Sequence, residues 1–189
     1  MLGASALAHP QRTFVAFTGH RPDKLGGYTQ AADRRLTAFA SRVLSALAEQ
    51  RGPLHVISGM ALGWDMAVAE ASCELQIPYT AAVPFPQQPD RWPMDSKKRW
   101  RALCDRAAAV EVLEQTYSAA GLQRRNIWMV DNANLLIALW NGSDGGTANC
   151  VRYARSVGLP VLQAWNKWIA FGECADTDPR TSPAARMGA

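Results

Sequence analysis

Short apolar runs alternate along the chain with longer stretches whose apolar residues recur at helical spacing. Residues 13–17 are almost wholly apolar and run into Thr18-Gly19, the pattern of a buried strand. Residues 29–50 then place Leu36, Phe39, Ala40, Val43, Leu44 and Leu47 on one helical face, with arginines between and Gly52-Pro53 as the stop. The same reading predicts strands at 54–57, 79–83, 108–113, 135–139 and 160–164. Between them it predicts helices at 65–75, 92–106, 121–132 and 147–157.

The strands are apolar throughout and do not alternate with polar residues, so both faces of the sheet must be covered. With helices between successive strands, this predicts an α/β fold, a Rossmann-like three-layer sandwich with a mainly parallel central sheet. No internal repeat or second domain interrupts the pattern. The expected organisation is a flexible lead over 1–12, one domain over 13–172, and a disordered tail over 173–189, where Asp, Thr, Pro, Arg and Ser take over.

Composition narrows the function classes. At 189 residues with 48% hydrophobic and 19% charged residues, the chain has the makeup of a single globular domain. No apolar run is long enough to span a bilayer, and the lead lacks the basic start of a signal peptide. Cys73, Cys104, Cys150 and Cys174 are scattered without a C-x-x-C pair, so reduced thiols in a cytoplasm are expected, with no zinc site, disulfide framework or cofactor. A net charge of +4 permits phosphate contact. Lys97-Lys98-Arg99-Trp100-Arg101 reads better as a solvated helix face than as a nucleic-acid patch, because no comparable cluster accompanies it.

The candidate chemistry gathers where strands end. In parallel sheets ligands bind beyond the carboxyl ends of the strands, where helix N-termini also point. Three glycine-rich or small-residue loops fall there: Thr18-Gly19-His20-Arg21-Pro22, the segment from Ser58-Gly59 to Asp65, and Asn141 to Thr147. Gly145, Gly146 and Thr147 fit an anion cradle best, with Ser58 and Gly59 as a second. Any one such loop is more simply a tight turn; three at one edge indicate a site. Arg21 offers a planar fork to a phosphate, against the alternative of a surface pair with Asp23. His20 fits an acid–base or base-contacting role and, equally, a structural bond to the loop backbone. Asp65 suits a ribose hydroxyl or a helix cap equally well. Trp64 and Trp92 offer faces for a nucleobase, although packing is the simpler account of each.

In this order the loops resemble the SLOG superfamily, named for the Smf/DprA and LOG proteins, and within it the bacterial and phage YpsA-like branch. The matching pieces are Thr18-Gly19-His20-Arg21-Pro22, Ser58-Gly59 through Gly63-Trp64-Asp65, and Pro84-Phe85 with Gln87 and Trp92. Arg125-Asn126, Met129-Val130-Asp131 and Asp144-Gly145-Gly146-Thr147 complete the set, which spans roughly 13–165. The resemblance implies a nucleotide or nucleotide-derived ligand. It also implies a departure: LOG enzymes carry a glutamate in the Gly-Gly-x-Gly-Thr-x-x-Glu pattern that takes part in cleaving base from ribose phosphate, and Cys150 stands in its place. A neutral thiol does not replace that carboxylate.

Binding or sensing of a small molecule is therefore expected ahead of LOG-type nucleoside-monophosphate hydrolysis, with DprA-like binding of single-stranded DNA third. Glu70 and Asp144 are the carboxylates considered as substitutes for the glutamate. LOG-like relatives commonly pair, and the 128–130 segment beside Trp140 is the candidate surface for a homodimer.

Overall fold

The computed structural model describes residues 12–176. Its elements follow in the order β1 (Thr13–Gly19), α1 (Gln30–Arg51), β2 (Leu54–Ser58), α2 (Trp64–Glu74), β3 (Tyr79–Val83) and α3 (Met94–Arg106). They continue with β4 (Ala109–Val112), α4 (Ala119–Asp131), β5 (Leu135–Leu139), α5 (Gly146–Ser156), β6 (Val161–Gln163) and α6 (Trp165–Asp176). The helix boundaries have local causes. Thr29 caps α1 by accepting from the Ala32 amide at 3.1 Å, and Ser118 caps α4 by accepting from Gly121 at 2.8 Å.

All six strands are parallel, in the order β4-β3-β2-β1-β5-β6. This is the α/β, Rossmann-like three-layer arrangement that the apolar strands predict. Side chains alternate across the sheet. Val15, Phe17, Leu135 and Ile137 join Leu36, Phe39, Trp64, Leu103 and Trp168 on the face covered by α1, α2, α3 and α6. Ala16, Leu136 and Ala138 join Met129, Val130, Cys150 and Val151 beneath α4 and α5. Strand β4 is an edge, with Val110 and Val112 both exposed.

Helix α6 is absent from the expectation, which ends with a strand at 160–164. It begins at Trp165, and Trp168 packs 5.4 Å from Phe39 with the Arg35 guanidinium 4.7 Å above it. The helix runs to Asp176, four residues past the Gly172 boundary read from composition. All of the expected lead but Arg12, and most of the expected tail, lie outside the described residues. Among the described residues, no helix is long and apolar enough to cross a membrane, and no group of three or more His, Cys, Asp or Glu side chains is arranged to hold a metal ion.

Candidate functional site

The strand order reverses at β1. From β1 the chain steps outward through β2, β3 and β4, then returns to place β5 on the other side of β1. Loops leaving β1 and β5 therefore diverge and open a crevice at the carboxyl edge, the usual ligand position in such sheets. A cavity of about 350 Å³ occupies it. Thr18, Gly19, His20 and Arg21 form one wall, and Ser143, Asp144, Gly145, Gly146 and Thr147 form another. Ala61 and Asp65 with Leu122, Arg125 and Asn126 of α4 form the third.

The start of α5 carries no side-chain cap and opens on the cavity. Gly145 holds φ at 140°, a conformation that glycine tolerates and other residues resist, and no side chain caps the helix. The amides of its first turn consequently have neither an intrahelical acceptor nor a cap. A Cβ placed on Gly145 or Gly146 would meet nothing within 4 Å, so the space beside these two α-carbons is open. Thr147 turns inward instead, donating from Oγ1 to the Gly19 carbonyl at 2.9 Å and fixing α5 against the end of β1. Arg21 is exposed at the cavity rim, and among the described residues it forms no ion pair, with Asp23 or any other carboxylate.

His20 is held by the scaffold. Its Nε2 lies 2.7 Å from Asn141 Oδ1, which also accepts from the Ser143 amide at 3.0 Å, and its ring meets Trp165 edge-on. Burial lowers its pKa from the ordinary imidazole value, with the Asn141 bond opposing and Lys24 reinforcing. This is the geometry of the structural reading, although the ring still lines the cavity.

Two of the expected residues lie behind the wall. Ser58 is fully buried, donating to the Asp65 carbonyl at 2.8 Å and accepting from the Met60 amide at 3.2 Å. Gly59 is small for a different reason than phosphate access: a Cβ there would sit 2.0 Å from Arg125 Nη1 and 2.8 Å from Asp65 Oδ2. Its absence makes room for Arg125, whose Nη1 donates to the Gly59 carbonyl. Trp64 is fully buried among Phe17 and Phe39, and Trp92 packs partly buried on the same cluster, so packing is the account that holds for both. Glu70 is bound by Arg99 and accepts from Thr37 outside the cavity; Asp144 lines it. The same Arg99 ties the basic 97–101 run to Asp33 at 3.0 Å. Trp128 and Trp140 rest partly buried on the second core cluster, and Trp140 Nε1 holds the β5 loop by donating to Ser143 at 2.6 Å.

Asp65 does not cap α2. Gly63 takes the cap position, and the Asp65 carboxyl turns within the first turn toward the Ala61 amide at 3.4 Å and Arg125 Nη1 at 3.8 Å. Burial pushes Asp65 up to about 6, opposed chiefly by Arg125, and lowers Arg125 in turn. Arg125 and Asn126 are wall residues that the sequence reading quoted only as part of the family pattern. Arg125 Nε donates to Asn126 Oδ1 at 3.0 Å, and Asn126 Nδ2 donates to the Gly146 carbonyl at 3.3 Å. The pair thereby links the β2 loop to the start of α5. Cys150, fully buried one turn into α5 and bonded to Thr18, is pushed up to about 11 and stays a neutral thiol.

A larger hollow of about 450 Å³ lies between α1 and α6, lined chiefly by apolar side chains such as Phe39, Val43, Leu47 and Phe171. It has no glycine loop and no convergence of polar groups comparable to the crevice between β1 and β5.

Comparison with known proteins agrees with this fold. The model of the YspA SLOG family matches residues 15–155. The SPbeta prophage-derived protein YoqJ of Bacillus subtilis is 31% identical over 134 residues, which cover 62% of this chain and 78% of that protein. Among solved structures, DNA processing protein A from Helicobacter pylori, a protein with a single-stranded DNA binding mode, superposes with a TM-score of 0.57 at 14% identity. That likeness covers 87% of this chain and 80% of the other. A molybdenum cofactor binding protein from Rippkaea orientalis gives a TM-score of 0.52 at 12% identity, covering 88% and 86%. At these identities the structural likeness speaks for the fold.

Proposed function

The chain belongs to the YspA SLOG family, and from that premise we propose that it binds a nucleotide or nucleotide-derived small molecule in the crevice between the β1 and β5 loops. One observation carries the reading: the uncapped, glycine-lined start of α5 and the unpaired Arg21 face the same cavity at the reversal of strand order. A phosphate there accepts from first-turn amides and pairs with a guanidinium, both of which favour a dianion.

The cavity wall disfavours the DNA reading suggested by the Helicobacter pylori relative. Arg21, Lys24 and Arg125 are matched by Asp23, Asp65 and Asp144, so the lining is not a basic track. Hydrolysis remains the second reading because of one residue. Asp65 is a buried carboxyl inside the cavity with a pKa near 6, suited to exchanging a proton near neutrality. It ranks behind binding because the position of the LOG-enzyme glutamate holds the neutral, buried Cys150. Release of free base from AMP, followed by chromatography, separates the two.

Calorimetry tests the binding reading directly. AMP should bind more tightly than adenosine, and Arg21→Ala should weaken AMP about tenfold or more by removing a charge-assisted hydrogen bond, with adenosine nearly unchanged. Equal loss for both would move Arg21 from the phosphate to another role. Failure of the wild type to bind any nucleotide would remove the reading.

A further inference from the structure

The wall opposite the α5 terminus carries polar atoms that the fold leaves unused. Both contacts of the Asp65 carboxylate fall on Oδ2, from the Ala61 amide at 3.4 Å and Arg125 Nη1 at 3.8 Å. Among the described residues no group donates to Oδ1. Arg125 is occupied through Nε, which bonds Asn126, and Nη1, which bonds Gly59, while Nη2 has no acceptor. Asp65 is only 5% exposed and Arg125 8%, and both line the cavity. Both side chains line the cavity, and neither Oδ1 nor Nη2 is fully sealed from solvent. Leaving such atoms bare in a buried site is unfavourable, and a ligand that satisfies both is favoured.

An acceptor beside a donor defines the complementary group. A hydroxyl both donates and accepts, so one meeting Asp65 Oδ1 and Arg125 Nη2 fills both of its capacities. A phosphate at this wall would face the carboxylate charge, which leaves the α5 terminus as its place. Among the described residues no aromatic ring apart from His20 lines the cavity, so stacking on a nucleobase contributes little to selection there. We propose that Asp65 and Arg125 form a hydroxyl-reading pair that selects ligands carrying the vicinal hydroxyls of a ribose, with the phosphate held at the start of α5. This rests on the binding reading above and specifies which part of the ligand the second wall recognises. Asp65 on α2 thus supplies a carboxylate to a cavity in which the α5 position of the LOG-enzyme glutamate holds a thiol.

The carboxyl is faced by Arg125 from α4, Arg21 from the β1 loop, the Ala61 amide from its own loop, and Cys150 from α5, which stays neutral. His20 lines the same cavity. Protonation of Asp65 near pH 6 removes its charge and weakens its hold on a donated hydroxyl, so selection for the hydroxyls weakens on acidification.

The test compares AMP with 2′,3′-dideoxy-AMP by calorimetry at pH 7.5 and pH 5, in the wild type and in Asp65→Asn. The shared phosphate and base cancel in the affinity ratio. At pH 7.5 the wild type should prefer AMP by about tenfold or more. That preference should shrink at pH 5 and fall to nearly one in Asp65→Asn, with affinity for the dideoxy nucleotide retained. A wild-type ratio near one, with both nucleotides bound, overturns this inference and leaves the binding reading standing. A ratio that survives intact in Asp65→Asn overturns it as well. Absence of binding by either nucleotide removes the binding reading and this inference together. Should Asp65→Asn fail to fold, the wild-type ratio decides, and one that does not change between the two pH values overturns it.

Discussion

Arg125→Met is expected to destabilise the folded chain by roughly 3–5 kcal/mol at pH 7.5, the range for breaking a buried ion pair from one side. Methionine fills most of the volume, so the loss comes from stranding the Asp65 carboxylate and the Gly59 carbonyl. The pH dependence identifies which of these matters. Asp65 titrates near 6 in the fold against an ordinary 3.8, so the folded state holds the proton more tightly than the unfolded chain. The cost of the charged group is fully present above pH 6 and is relieved as pH falls toward 4, a change on the order of 3 kcal/mol for a shift of about two units. Without Arg125 the carboxyl titrates higher still and takes up its proton earlier on acidification. The gap between variant and wild type in urea denaturation should therefore narrow markedly at pH 5. An equal gap at both pH values would show that Asp65 is not the group left stranded.

Gly146→Val should cut AMP affinity about a hundredfold or more, while the melting temperature stays within a few degrees of the wild type. The fold tolerates the change because a Cβ on Gly146 meets no atom within 4 Å, and the backbone there does not require glycine. The ligand does not tolerate it, since a branched side chain fills the space before the first-turn amides. Losing one or two charge-assisted bonds of about 1.5–3 kcal/mol each accounts for the factor. A folded variant with unchanged affinity would place the phosphate elsewhere on the chain.

Much of this architecture is legible in residue order. Strands buried on both faces announce themselves as unbroken apolar runs, which is why 79–83 and 135–139 coincide with β3 and β5. The last helix escapes for a physical reason. Trp165, Trp168 and Phe171 do recur at helical spacing, but they follow a three-residue strand with no turn or capping signal between. The polar residues beyond them also dilute the pattern.

The α4 side of the third wall is absent from the candidate residues although a signal for it exists in the sequence. On α4, Leu122, Arg125, Asn126, Met129 and Val130 fall on one helical stripe. An arginine and an asparagine on a stripe that ends in core residues are polar groups in a buried position, and burial demands partners for them. Ser58 and Gly59 show the reverse case. Their position after β2 suggested contact with a ligand, whereas their size serves the packing of Arg125 and of the α2 start, a distinction that requires three-dimensional proximity.

The uncapped start of α5 makes the protein its own reporter. Amides there that lack an acceptor exchange their hydrogens with solvent freely, while those deeper in the helix wait for an opening of the structure. An anion seated on the first turn supplies the missing acceptor and slows exchange at Gly146, Thr147 and Ala148 with little change elsewhere in α5. Hydrogen–deuterium exchange resolved to single residues thereby turns the missing cap into a label-free measure of occupancy, usable on crude mixtures of metabolites before any ligand has been identified.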